Sequence, residues 1–401
     1  MTKRALIAGL LLGSLTVACG GGDDGGESDE IKIGAIFDLT GPTADVGTDY
    51  AEGIRAYVDW INAQGGVEGQ SIDLIFQDYG YQVSRAEQLY SQFVQEGVVA
   101  FMGWGTGDTE ALQRRIVEDE LPFTSASLSH RLGNGADAPY NFLVATTYSD
   151  QFFIVLDWIK EDFEAKGGAG SPTVALMHNA SPFGLSPWEQ GGEAYAARIG
   201  VEARAFEMPR GATDFTAELT QIRQAGAEYV VFQNTSGPAA LAIRNARSLG
   251  LDVTFVCLNW CSNRLLISLA PNASQGVVGS MPFAPVTADV DGTREIRAAL
   301  ESQGASVREK SNALTQGWWT MAVLVEGIRR VIRSGQDVTG ANIKAALEGL
   351  TEWETGGVTV PITFTPDDHR GAKGVRLFRV EDGDWQVLTD FREPAVALEM
   401  E

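Results

Sequence analysis

Val98-Val99-Ala100-Phe101-Met102-Gly103-Trp104-Gly105-Thr106-Gly107-Asp108-Thr109-Glu110-Ala111-Leu112 carries three signals in one short stretch. Val98 to Met102 is an apolar run that suits a buried strand. Gly103, Gly105 and Gly107 make a loop, and Leu112 with Ile116 begins a helical stripe. A strand that feeds a glycine-rich turn and then a helix presents backbone N–H groups at the helix start, where a polar or anionic ligand can dock. The spacing Gly-x-Gly-x-Gly departs from the dinucleotide fingerprint, whose third glycine falls one position later. The meaning of the loop therefore depends on its surroundings.

Upstream, Ile31 to Phe37 is a second buried strand, followed by the turn Asp38-Leu39-Thr40-Gly41-Pro42. Ile54, Tyr57, Val58 and Ile61 recur at helical spacing, and Gly65-Gly66 stops that helix. Ser71 to Phe76 reads as a strand and Ala86 to Gln95 as a helix. Downstream, Pro122 to Thr124 and Tyr140 to Ala145 are further strands. Alternation of this kind means a parallel sheet covered on both faces.

The alternation then repeats. Phe152, Leu156, Ile159 and Phe163 stripe a helix, Thr173 to Met177 is a strand, Gly191 to Ile199 is helical, and Val201 to Phe206 is a strand. Phe215, Leu219 and Ile222 mark a helix before the strand Tyr229 to Gln233. Pro238 opens another helix, Gly250 closes it, and Val253 to Val256 completes the set. A long helix carries Trp318, Met321, Val325, Ile328 and Ile332. Near the end, Asp382-Gly383 joins Gly374–Val380 to Trp385–Thr389 as a hairpin. Two α/β runs of similar length with no proline-rich linker predict two lobes, and the cleft between them is the expected ligand site.

The 401 residues carry 53 acidic and 30 basic side chains, a net charge of -23 that repels phosphate backbones and argues against nucleic-acid binding. Lys3 and Arg4 precede Ala5 to Leu12, an apolar run too short to span a bilayer but suited to export. Leu15-Thr16-Val17-Ala18-Cys19 resembles a bacterial lipobox, with Thr16 where leucine is more usual, so Cys19 is the expected lipidation site. The alternative is an ordinary secretory signal. Gly20 to Glu30 is a glycine-acidic tether, which as a coil spans about 20 Å. Cys257 and Cys261 are an even remainder, and their close spacing leaves a disulfide and two buried thiols both open.

His130, His178 and His369 are scattered, with no metal-ligand spacing, no Gly-x-Ser-x-Gly elbow and no Walker loop. No catalytic set, cofactor or metal is expected. His178 ends a strand and is expected to face the cleft as a hydrogen-bonding wall. Asp78, Asp108 and Glu110 read as helix-start or solvated acids.

Several motifs together resemble a known family. They are Gly41-Pro42, Gly53, Ile61-Asn62-Ala63-Gln64-Gly65-Gly66-Val67-Glu68-Gly69, Ile72-Asp73-Leu74 and Asp78, followed by Phe183-Gly184, Asp214-Phe215 and Ala227-Glu228-Tyr229-Val230-Val231. Their order and spacing are similar to those of leucine/isoleucine/valine-type periplasmic binding proteins. The resemblance implies an α/β chain of two Rossmann-like lobes with parallel-sheet cores, joined by three crossovers near Thr146, Met281 and Trp353 and closing on a small solute. The implied division is a signal peptide over residues 1–18, a tether over 19–30, lobe 1 over 31–146 plus 281–353, and lobe 2 over 147–280 plus 354–401.

The implied role is capture of a small organic solute for the permease subunits of an ABC importer, by a monomer held at the cell envelope through a lipid anchor. A sensory receptor for amides, urea or aromatic acids is the alternative, and an enzyme a remote one. Carried over position by position, the carboxylate-holding loops fall on Gly105-Thr106-Gly107 and Ala126-Ser127-Leu128, with Leu128 where threonine is usual. From the second lobe come Phe183, Thr235 at a position often held by tyrosine, and Asn259 where amino-acid receptors place the glutamate that meets the ligand's ammonium. Trp104 and Trp260 flank the expected pocket from opposite lobes and are suited to sandwich a planar or apolar group; the alternative is that they pack the lobe edges. Without the glutamate, a neutral amide-like or aromatic solute fits this reading almost as well as a branched-chain amino acid.

Overall fold

The computed structural model describes residues 30–307 and 310–396. The signal segment, Cys19 and the tether before Glu30 lie outside the described residues. The first lobe runs β1 (Ile31–Phe37), α1 (Ala44–Ala63), β2 (Ile72–Asp78), α2 (Val83–Gln95), β3 (Ala100–Gly103), α3 (Thr106–Glu118), β4 (Phe123–Ser125) and β5 (Asn141–Phe142). Its strands are all parallel, in the order β2-β1-β3-β4-β5. Consecutive strands β1 and β2 run to one side and β3 to the other, so the sheet reverses direction at β1. A crevice opens at such a reversal, beyond the C-terminal ends of the strands.

The chain then enters the second lobe through α4 (Tyr148–Ala165), β6 (Thr173–Asn179), α5 (Pro182–Pro187), α6 (Glu193–Ile199), β7 (Glu202–Met208), α7 (Thr216–Gln224), β8 (Tyr229–Gln233), α8 (Ser236–Ser248), β9 (Thr254–Cys257), α9 (Arg264–Leu269) and β10 (Val278–Met281). It returns to the first lobe for α10 (Asp291–Ser302), α11 (Asn312–Arg333) and α12 (Gly340–Glu348), and ends on the second with β11 (Val375–Glu381) and β12 (Asp384–Arg392). The second sheet is ordered β12-β11-β10-β9-β8-β6-β7. It reverses at β6, and its crevice faces that of the first sheet. Both crevices thus open into one cleft. The terminal hairpin turns on Asp382 (φ 51°) and Gly383 (φ 78°), the left-handed pair that a tight two-residue turn requires.

The apolar stripe of α1 is buried at Ile54, Tyr57, Val58 and Ile61, against α11. Glycines allow that crossing to be close. A Cβ on Gly53 would stand 2.1 Å from the Leu314 carbonyl oxygen, and one on Gly317 would stand 2.0 Å from that of Tyr50. Substitution at either would push the helices apart.

Two expectations are corrected. The strand expected over Tyr140–Ala145 shrinks to Asn141–Phe142, because the following residues pair with a later segment: Leu143 donates to the His369 carbonyl and Gly371 to that of Leu143. The crossover expected near Trp353 falls after Ala372. Val358, Ile362, Phe364 and Ala372 all sit in the first-lobe core, and buried His369 stacks on Phe142 with ring centroids 4.1 Å apart. The Thr146 hydroxyl donates to the Gly374 carbonyl at 2.7 Å, tying the first and third connections together.

Candidate functional site

The C-terminal ends of the strands place the cleft residues. From the first lobe, the segment after β1 brings Thr43 and Val46, the one after β2 brings Tyr81, the one after β3 brings Trp104, Gly105 and Thr106, and the one after β4 brings Ala126. From the second, the segments after β6, β8 and β9 bring Phe183, Thr235 and Trp260, and Tyr148 stands at the start of α4. Together they line a narrow cavity of about 20 Å³, room for little more than a water molecule. Ligand sites usually occupy roughly 300–1,000 Å³, so the walls of this closed cleft have to part to admit a solute.

The wall is mainly aromatic. The Trp104 and Trp260 rings meet across the cleft with centroids 5.1 Å apart, and Tyr50 packs edge-on to both from behind. Each indole N–H is engaged. Trp104 donates to Thr43 Oγ1 at 2.8 Å, and Trp260 donates to the Tyr148 hydroxyl at 2.7 Å. Thr43 in turn donates to buried Asp38 at 2.6 Å. The indoles are therefore fixed in place, and their faces are left for apolar contact.

The glycine loop is braced from below. Asp108, in the first turn of α3, accepts the Gly105 N–H at 3.2 Å and the Tyr79 hydroxyl at 2.8 Å. Burial drives the Asp108 carboxyl up to about 7, against the lowering effect of those hydrogen bonds. Asp108 is thus a helix-start acid, as expected, but it is a buried strut and not a solvated one. A Cβ on Gly105 would stand 2.2 Å from an Asp108 carboxylate oxygen, so only glycine fits over it.

Of the residues singled out in the sequence, Trp104, Gly105, Thr106, Ala126, Phe183, Thr235 and Trp260 line the chamber, and the others do not. Ser127 bonds to Thr106 Oγ1 at 2.7 Å, one step behind the wall. Leu128 is buried in the first-lobe core. Gly107 faces the second lobe, where a Cβ would stand 3.6 Å from Pro182. Asn259 is the main correction. Its side-chain amide is paired in both directions with Gln316 of α11, at 3.0 and 2.9 Å, and so is turned away from the solute space. His178 is also outside the wall, with Nδ1 against the Asn179 carbonyl at 3.1 Å. Thr43, Val46, Tyr81 and Tyr148 were not anticipated. Each follows a strand end or a crossover, which is the signal that could have found them.

Besides the Asn259–Gln316 pair, further hydrogen bonds bridge the lobes beside the chamber. The Gly237 N–H at the start of α8 donates to the Asp45 carboxylate of α1 at 3.1 Å. On another side, Gln190 accepts from the Arg131 N–H at 3.1 Å and donates to Ser129 Oγ at 2.9 Å. Cys257 and Cys261 are free and buried, and burial holds the Cys257 thiol well above its usual range. Among the described residues, no group of three or more His, Cys, Asp or Glu could hold a metal ion, and no helix is long and apolar enough to cross a membrane.

Comparison with known proteins agrees with this architecture. The family profile described as periplasmic binding protein matches residues 30–384. A leucine-, isoleucine-, valine-, threonine- and alanine-binding protein of Pseudomonas aeruginosa is 25% identical over 269 residues, 64% of this chain and 68% of that one. A Leu/Ile/Val-binding protein of Citrobacter freundii is 21% identical over 89% of this chain and 94% of its own. Among solved structures, a branched-chain amino acid ABC transporter protein of Thermus thermophilus with bound valine superposes with a TM-score of 0.85 and 27% identity, covering 91% of this chain and 97% of that one. With two facing α/β lobes, a small chamber between them and a profile match over most of its length, the chain belongs to the periplasmic binding protein family, in its type 1 fold.

Proposed function

We propose that the chain is an extracytoplasmic solute-binding lipoprotein of an ABC importer, anchored through Cys19. It captures a branched-chain amino acid or a related amide or aromatic compound by closing its lobes and presents it to permease subunits. One observation carries this reading above the others: the two sheet crevices face each other, and the Trp104 and Trp260 rings meet between them. The small aromatic chamber favours a compact solute with an apolar group, since burial of apolar area stabilises by about 25 cal/mol per Å². The engaged Thr106 hydroxyl beside the start of α3 supplies a polar end.

The test is a thermal-shift and calorimetry panel of branched-chain amino acids, neutral amides, urea and aromatic acids. A solute that binds only the folded form at about 100 times its dissociation constant adds about 2.7 kcal/mol of stability. A rise in Tm with one of these classes is expected, and no response to any of them overturns the reading. For the anchor, incorporation of labelled fatty acid that disappears in Cys19→Ala is expected, and incorporation that persists overturns it.

A further inference from the structure

We propose that Asp45, together with Thr235, receives the cationic or N–H-donating end of the solute, so that one carboxylate both ties the lobes and reads the solute's ammonium. The inference rests on the solute-clamp reading above.

The argument begins with hydrogen-bond accounting in the chamber. Thr43 Oγ1 is taken by Trp104 and Asp38, Thr106 Oγ1 by Ser127, and the Tyr148 hydroxyl by Trp260. Thr235 is different. It lines the chamber, is 2% exposed, and its hydroxyl has no partner. Beside it stands the Asp45 carboxylate, close enough for the hydroxyl to favour its ionised form, although the two make no direct hydrogen bond. Asp45 Oδ2 accepts the Gly237 N–H, while Oδ1 is buried without a partner. Thr43 and Val46, on either side of Asp45 in the chain, both form part of the chamber wall.

A buried carboxylate oxygen and a buried hydroxyl, each without a partner, are costly. A donor placed between them would satisfy both. An ammonium is the most favourable such donor, because a charge-assisted hydrogen bond is shorter and stronger than a neutral one. Burial raises the Asp45 carboxyl above its ordinary value, which a cation at this position would oppose. Another part of the chamber wall has the opposite character. The start of α3 presents first-turn N–H groups and the Thr106 hydroxyl, which suit a carboxylate. Asn259, the position expected to answer the ammonium, is sequestered by Gln316. In the closed cleft the first lobe instead sets Asp45 against the N-terminus of α8.

The experiment compares leucine with 4-methylpentanoate, which keeps the side chain and carboxylate but has hydrogen in place of the ammonium. Affinities for wild type, Asp45→Asn, Asp45→Ala and Thr235→Val are measured by calorimetry or competition, with Tm recorded for each variant. Asn keeps an acceptor for Gly237 and the shape of the site, so Asp45→Asn isolates the charge even if Asp45→Ala fails to fold. The expected result is that wild type prefers leucine at least tenfold. Asp45→Asn should lose at least tenfold for leucine and less than threefold for 4-methylpentanoate. A leucine preference that survives in Asp45→Asn overturns the inference and leaves the clamp reading intact, as does equal binding of the two compounds by wild type. Binding of neither compound, nor of any amide, urea or aromatic acid, overturns the clamp reading itself.

Discussion

Asn259 and Gln316 form a closed amide pair: Asn259 Nδ2 donates to Gln316 Oε1 at 3.0 Å and Gln316 Nε2 donates back to Asn259 Oδ1 at 2.9 Å. The pair joins the turn after β9 to the first-lobe helix α11, and both residues are buried. Removing one partner leaves a buried amide unsatisfied, at a cost of about 1–3 kcal/mol. We expect Asn259→Ala and Gln316→Ala each to lose about that much in urea unfolding. The double variant should lose clearly less than their sum. Strict additivity would show that the two side chains do not act as a pair.

Trp104 combines packing with a hydrogen bond, and the two can be separated. Trp104→Ala opens a cavity at a site 4% exposed and is expected to cost about 3–5 kcal/mol of stability, besides weakening binding of the solute. Trp104→Phe keeps an aromatic face but drops the bond to Thr43, for about 0.5–1.5 kcal/mol. Denaturation and calorimetry on the two variants give the split. A Trp104→Ala protein as stable as wild type would refute the packing role.

Asp108 gives stability a pH dependence. Its folded value is raised from 3.8 to about 7, so between these values the folded chain holds a proton that the unfolded chain has lost. Its contribution to stability is therefore full below about 4 and falls as pH rises, by at most about 1.4 kcal/mol per unit, until about 7. Asp108→Asn removes the titration and keeps one acceptor oxygen for the Gly105 N–H, with its NH2 turned to donate to the Tyr79 hydroxyl. Its stability relative to wild type should climb across that window. A flat difference in unfolding free energy from pH 4 to 8 would count against the buried acid.

The Gln190 clasp acts on residence time. Its side chain holds Ser129 and the Arg131 N–H across the cleft. Gln190→Ala removes these two bonds and should speed solute dissociation about five- to 150-fold, at about 0.5–1.5 kcal/mol for each bond lost. Stopped-flow release is the measurement, and an unchanged off-rate would place the clasp outside the closing step.

Much of the fold was legible because parallel strands buried on both faces read as short apolar runs, and the helices between them carry stripes such as Ile54, Tyr57, Val58 and Ile61. The third crossover was misplaced because residues 354–372 have no periodic pattern of their own. They are held by bridges such as that between Leu143 and Arg370, which only the folded chain creates. At the chamber, Trp104 and Trp260 were found from their places after strands. Asn259 was misread because the partner that removes it, Gln316, lies far away in sequence. Asp45 was passed over because an acid in the first turn of a helix usually does no more than favour the helix dipole.

The contact between the Trp104 and Trp260 indoles also has an optical consequence. Two strong, tilted transition dipoles at 5.1 Å couple as an exciton pair, and each belongs to a different lobe. Opening the cleft separates the chromophores and uncouples them. The circular dichroism of the unlabelled protein should therefore contain a tryptophan couplet that marks the closed state, and that fades in either single Trp→Phe variant.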